Sequence, residues 1–384
     1  MRPVTQRMPA AGSGGMSEVW QARLGAQLLS RPSSTSAEDV TAHLLAVQAQ
    51  DPRGFRLAVR TRSTGLTAAD VDVALTERRS LVVSWLNRGT LQLVVAQDYW
   101  WLQALTTPQL ATASRRRLGQ EGVSPAEAAR GIDVVRAAVT DGAGRTRAEM
   151  KQRLDDAGVP TKGQALVHVL LAATLEGLLV RGPVVGGEQV FVDPHTWLGG
   201  APPKLDREEA LGRLAGRYLQ GHGPATAADL AKWAGLRLGD ARRGLQAVRD
   251  QTTSTPDGLV DLADRPRPPR VPPLRLLGAF DPLLLGWADR DDVLGAHRQV
   301  VTTNGLIRPV VLAGGRVVAT WGLPSGSVTV DVLGQMPFGS DRALRAEAAD
   351  VLRFLGRPPR PVAYASSEGW RGDRGQRGRG TWRR

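Results

Sequence analysis

The chain contains no cysteine, which excludes disulfides and thiolate-bound zinc. It also lacks any apolar run long enough to span a membrane. The N-terminal segment, with Arg2, Arg7 and a Gly/Ser-rich stretch from Ala11 to Gly15, lacks the continuous apolar core of a secretion signal. It reads as a disordered leader over 1–16, with Met16 as an alternative start. Histidine is scarce, and His43, His168, His195, His222 and His297 show no ligand spacing, so neither a metal nor another cofactor is expected. Lysine is rarer still: Lys151, Lys162, Lys204 and Lys232 are the only ones. These absences fit a cytoplasmic, nucleoid-associated protein without membrane contact.

Ordinary globular composition fills the rest. The 384 residues are 42% hydrophobic and 23% charged, enough for two to four compact units. The net charge of +13 is almost entirely arginine, a bias to which a GC-rich genome contributes. The tail from Arg371 to Arg384 sets six arginines against Asp373, yet the remaining body is still strongly basic. Phosphate backbones are the partners such a balance favours.

Helical periodicity dominates the first two thirds. Ser17 to Leu29 and a segment from Ser36 through Val47 carry apolar residues at helical spacing, and Pro52 to Arg62 reads as a third helix. Thr67-Ala68-Ala69-Asp70 opens a fourth in capping-box style, running to Arg78. The stretch Trp85 to Val94 then reads as strand, tight turn and strand. Helices followed by a two-stranded ribbon form a winged-helix pattern. The same grammar recurs from Thr146 to Val192, with a long turn at 182–187, and again from Thr226, where Thr226-Ala227-Ala228-Asp229 repeats the earlier four residues literally.

Beyond the proline- and arginine-rich linker 265–270 the pattern turns β-rich. Short strands are expected over 274–278, 300–301, 307–312, 317–321 and 327–333, with Gly314-Gly315 as a hairpin turn and a closing helix over 341–355. The expected fold is therefore α+β. Three tandem winged-helix units (17–105, 106–200 and 201–264) surround a concave basic channel, and a small β-barrel-like domain follows over 271–360. An Arg/Gly tail over 365–384 reads as disordered.

One segment is chemically unusual. Leu44-Leu45-Ala46-Val47-Gln48-Ala49-Gln50-Asp51 begins as an apolar helix face and ends, by this reading, with two carboxamides in the last turn. Glutamine donates and accepts without carrying charge, so such a pair suits a water or a base edge better than a core. Asp51 before Pro52 reads as a turn initiator. The candidate DNA contacts are Arg53, Asn87, Arg88, Gln92, Lys162, Gln164, Arg242 and Arg243, on ribbon tips and at the starts of presumed recognition helices. Trp100-Trp101 follows a helical apolar pattern and reads as core rather than as a stacking platform. Asp281-Pro282 reads as a turn, and the acidic run Asp289-Arg290-Asp291-Asp292 as a polar loop.

Three ordered blocks, Leu45-Ala46-Val47-Gln48-Ala49-Gln50, Arg88-Gly89-Thr90-Leu91 and Leu277-Gly278-Ala279-Phe280-Asp281-Pro282-Leu283-Leu284-Leu285-Gly286, carry a family likeness from about Trp20 to Gly356. In them the chain resembles the bacterial winged-helix DNA-binding family that includes the AlkZ/YcaQ-type DNA glycosylases. The resemblance implies tandem winged helices around a basic DNA channel and excision of alkylated purines, chiefly N7-alkylguanine, with crosslink unhooking in some members. It places Gln48 and Gln50 on the two catalytic positions, with Ala49 between them. Relatives often carry His after Arg-Gly-Thr-Leu, where this chain has Gln92, which cannot gain a proton.

The implied chemistry suits two neutral amides. An N7-alkylated guanine is already a cationic leaving group, and the transition state places oxocarbenium charge on the sugar. One amide oxygen then offers its dipole while the other places a water, each contributing on the order of 2–4 kcal/mol. No lysine lies near Gln48 in sequence, so a monofunctional hydrolase acting on damaged double-stranded DNA is expected, as a monomer with no obligate protein partner. The alternative is a non-catalytic winged-helix DNA-binding protein, a regulator or a lesion binder.

Overall fold

The computed structural model describes residues 17–30, 35–200, 205–266 and 274–365. The leader over 1–16, most of the linker and nearly all of the arginine-rich tail lie outside them.

Ser17 caps α1 (Glu18–Ala26), accepting from the Trp20 backbone, and Ser36 caps α2 (Ala37–Leu44) through Asp39. The second helix stops earlier than its apolar spacing suggests. Leu45, fully buried, takes φ +65°, a conformation a leucine keeps only when packing dictates it. The chain leaves this kink as a two-residue strand, β1 (Val47–Gln48). The glutamines therefore stand on a strand and the turn after it, and the reading of a helix ending in two amides is corrected.

Next, Asp51 caps α3 (Pro52–Arg62), with Pro52 at the first helical position, where a missing N–H does no harm. The capping box Thr67/Asp70 opens α4 (Ala68–Thr76). The strands β2 (Leu81–Leu86) and β3 (Thr90–Val95) form a hairpin whose turn uses positive φ at Asn87 and Gly89. Then come α5 (Ala96–Thr106), α6 (Ala111–Gln120), α7 (Pro125–Val139), α8 (Arg147–Asp156) and α9 (Ala165–Leu175). A second hairpin, β4 (Val180–Val185) and β5 (Glu188–Val192), turns at Gly186-Gly187, so the long turn expected over 182–187 is mostly strand. A short α10 (Pro194–Leu198) follows it.

Both hairpins belong to one sheet. Val83 of β2 pairs with Arg181 of β4, and β1 pairs along β3, giving the order β1-β3-β2-β4-β5. Each of its faces lines a separate apolar core. Val83, Trp85, Leu91 and Leu93 enter one, while Val82, Leu86 and Val94 enter the other. Burial on both faces explains why β2 reads as a nearly continuous apolar run. The polar exceptions, Ser84 and Gln92, pair directly across the ladder on a single face.

Beyond this sheet, α11 (Arg207–His222) packs across α13 (Leu238–Ala247) and reaches α1, α2 and α5. Between α11 and α13, α12 (Ala227–Ala234) begins with the capping box Thr226/Asp229 and ends at Gly235 in the left-handed conformation. A small ribbon, β6 (Thr252–Ser254) and β7 (Val260–Leu262), completes the third segment.

The C-terminal region holds β8 (Leu274–Leu277), α14 (Asp291–Leu294), β9 (Val310–Ala313), β10 (Arg316–Gly322), β11 (Thr329–Val332), α15 (Asp341–Phe354) and β12 (Ala363–Tyr364). Its sheet has the order β12-β11-β10-β9-β8, with β8 and β12 as edges. The expected barrel-like closure is therefore absent. Instead α15 buries Leu344, Ala348, Val351, Leu352 and Phe354 and packs on β8 and α3, so a helix does the covering that closure was expected to do. The α+β class stands.

Candidate active site

The β1–β3 register sets Gln48 directly opposite Gln92, on the face that also carries Ser84. Gln48 is buried at 7% exposure, whereas Gln50, two residues on, is exposed. Gln48 Nε2 donates to Gln50 Oε1, so the two carboxamides form a connected pair. Arg88 Nη2 donates to Gln48 Oε1 at 3.2 Å. Because guanidinium has no acceptor, Arg88 fixes which way the Gln48 amide points. Gln92 is buried and donates to Thr90 Oγ1 at 2.6 Å, so it lines the strand behind the pair.

The turn after Gln50 is held from two sides. Asp51 accepts from the Gly54 backbone at 2.5 Å, which supports its reading as a turn initiator. A Cβ built on Gly54 would lie 2.4 Å from the Ala279 carbonyl oxygen, so only glycine lets the 278–281 segment sit against the first turn of α3. That segment then anchors the helix. Asp281 accepts from Arg62 Nη1 at 3.0 Å and Nη2 at 2.8 Å, with both side chains fully buried. Arg62 also donates to the carbonyl and the side chain of Gln27, each at 2.9 Å. Asp281 does start a turn, accepting from Leu283, but the buried ion pair was invisible in local sequence.

Arg88 is half-buried, and burial first, then the like charge of Arg290, holds it below the usual arginine range. No described carboxylate forms an ion pair with it. The Arg88 turn is also braced by Gly235, where a Cβ would approach the Asn87 carbonyl at 3.0 Å and Arg88 Cα at 3.1 Å. The α12–α13 turn therefore abuts the first hairpin beside the glutamines.

The remaining candidates divide. Arg53 is exposed on the first turn of α3, next to the glutamine pair. Asn87 is 1% exposed, with its backbone N–H on Thr106 Oγ1 at 3.0 Å, so in this structure its side chain is buried in the turn. Lys162 and Gln164 are exposed at the start of α9, and the Gln164 backbone donates to Glu121 at 3.2 Å. Arg242 is exposed and free of ion pairs among the described residues. Arg243 is engaged by Glu208 and Asp240. Nothing in these contacts joins Lys162, Gln164, Arg242 or Arg243 to the glutamines. Trp101 is buried with Nε1 on Asp98 at 2.9 Å, and Trp100, partly buried, packs against the same core with its ring 4.6 Å from that of the exposed His195. Sequence reasoning missed Arg290, whose acidic neighbours disguised it, and Lys232. Among the described residues no His, Cys, Asp or Glu group is arranged for a metal, and no helix is long and apolar enough to cross a membrane.

Three comparisons bear on this geometry. The family model for AlkZ-like DNA glycosylases matches residues 41–354. An interstrand DNA cross-link repair glycosylase of Streptomyces sahachiroi is 29% identical over 370 residues, which span 90% of this chain and 98% of that protein. The solved structure of Streptomyces sahachiroi DNA glycosylase AlkZ superposes with a TM-score of 0.75 at 27% identity, covering 91% of this chain and 98% of the other.

Proposed function

The chain belongs to the AlkZ-like DNA glycosylase family, and from that premise we propose that it hydrolyses the N-glycosidic bond of N7-alkylated guanine in damaged double-stranded DNA, interstrand crosslinks included. The observation that carries this reading is the connected pair of carboxamides, one buried and one exposed, oriented by Arg88. The likeness to a cross-link repair glycosylase over nearly its whole length supports the lesion class and disfavours a binder without chemistry.

Alkylation at N7 leaves the base cationic, so its departure needs no strong general acid. As the C1′–N9 bond breaks, positive charge develops on the deoxyribose. The exposed Gln50 carboxamide presents its dipole there and holds the attacking water, while Gln48, locked between Arg88 and Gln50, sets its angle. The C1′–N9 electron pair leaves with the base as neutral alkylguanine, the water adds to C1′, and one water proton passes to solvent, which leaves an abasic site. Asp51 spends a carboxylate oxygen on the Gly54 N–H and acts as a cap. Lys232, the lysine on α12, rests on the Ala288 carbonyl with no hydrogen bond to either glutamine, which favours hydrolysis without strand cleavage.

The wider reading is of three winged-helix segments around a basic duplex channel, in a monomer acting on the nucleoid in the cytoplasm without a cofactor. The purified protein should release 7-methylguanine from methylated duplex. Gln48→Ala and Gln50→Ala should each slow single-turnover release by about 100-fold or more, while duplex binding persists. If both variants keep wild-type rates, the carboxamide mechanism fails.

A further inference from the structure

Three cations from three separate parts of the chain are tied together around Arg88, the residue that touches the glutamine pair. Arg88 stands on the first hairpin turn with one nitrogen on Gln48. Lys232 lies in the last turn of α12 and donates to the Ala288 carbonyl at 3.0 Å. Asp229, also on α12, accepts from the Ala288 backbone at 2.8 Å, so α12 and the segment leading to Arg290 are fastened together. Arg290 donates through Nε to the Leu284 carbonyl at 2.5 Å, which leaves its terminal nitrogens available. Gly235, just past Lys232, presses on Arg88 and closes the circle.

Among the described residues no ion pair engages Arg88, Lys232 or Arg290, although arginines elsewhere in the chain find carboxylates readily. Burial and the like charge of Arg290 depress Arg88, and burial depresses Arg290 although the neighbouring Asp289 works the other way. Two half-buried guanidinium groups close enough to repel favour an anion between them, and the exposed Lys232 adds a third positive charge on the same side. A nucleobase or a deoxyribose supplies none; a phosphodiester does, with acceptor oxygens matched to guanidinium donors.

We propose that Arg88, Lys232 and Arg290 form a binding site for one backbone phosphate of the DNA, next to the Gln48–Gln50 pair. The site rests on the DNA-directed reading above and deepens it: it fixes which linkage the enzyme grips as the glutamines meet the sugar. Arg88 thereby joins the two functions, since the nitrogen it lends to Gln48 belongs to the group that holds the strand.

The test uses the full chain and a duplex with a tetrahydrofuran abasic site, in which each phosphate near that site is replaced in turn by a neutral methylphosphonate. One neutral linkage should weaken wild-type binding roughly tenfold, and the same linkage should change the Kd of Arg290→Gln or Lys232→Gln less than about twofold. Each variant should also flatten the slope of log K against log salt by about one. Arg290→Lys, which keeps the charge, should recover most of the sensitivity to the neutral linkage. The proposal is overturned if no single linkage matters, or if Arg290→Gln and Lys232→Gln stay as sensitive to it as the wild type. Alkylguanine release by the wild type is scored separately. A protein that passes the phosphate test yet releases no alkylbase keeps the site and loses the substrate assignment.

Discussion

Gln48 and Gln50 are separated by a single residue, yet one is locked and the other open. Alternation would put both on one face; the difference arises because β1 ends at Gln48 and leaves Gln50 in the turn after it, while Arg88 reaches Gln48 from the hairpin. That the two amides belong together was legible, because paired neutral amides have little use in a core. Its surroundings were not, since Gln92 and Arg88 come from elsewhere in the chain and meet Gln48 only through strand pairing. His222 shows the same limit from the other side. Its ring stacks on Tyr218 at 4.8 Å, and burial pushes its imidazole down to about 3 from the ordinary 6.5. The unfolded chain therefore takes up a proton that the folded one refuses within that interval. Stability is full above about pH 6.5 and declines toward pH 3, by about 1.4 kcal/mol per pH unit from this group. His222→Phe keeps a ring in the stack without the titration, so chemical denaturation between about pH 6 and 4 should show a shallower decline. Identical slopes for variant and wild type would contradict the assignment.

Among the elements, those with local signals were readable. Thr67/Asp70 and its repeat Thr226/Asp229 each close a capping box where sequence spacing placed one, and Gly314-Gly315 turns a hairpin. The end of α2 was not readable, because Leu44, Leu45 and Val47 satisfy a helical face as well as a kink and a strand. The C-terminal strands were located approximately, but alternation says which side chains face inward and nothing about whether a sheet closes. The packing of α3 against the 278–281 segment depends on the bare Cα of Gly54. Gly54→Ala forces a shift there and should lower stability by about 1–3 kcal/mol in denaturant titrations. It should also slow alkylbase release, since the Gln50–Asp51 turn shares that wall. A variant with wild-type stability and rate would mean the segment tolerates displacement.

For the whole molecule, composition set the partner class: an arginine-dominated excess of +13 favours polyanions. What composition could not give is the way the parts interlock. The two hairpins read as repeats share one sheet, and α12 meets both the first hairpin and the segment before α14. Such contacts join residues far apart in sequence, and their complementarity has no local trace. The tail from Arg371 onward, outside the described residues, contributes charge that should act on affinity more than on chemistry. Six phosphate contacts would add roughly −5 to the slope of log K against log salt. Removing residues after Glu368 should flatten the salt dependence of duplex binding, and an unchanged slope would show that the tail makes no DNA contact.

The cluster around Arg88 has one consequence for the resting enzyme. If the proposed phosphate seats there, the free protein carries the repulsion between Arg88 and Arg290 and the loaded protein is relieved of it. Duplex seated there would complete the scaffold, and the molecule would be best assembled with DNA bound.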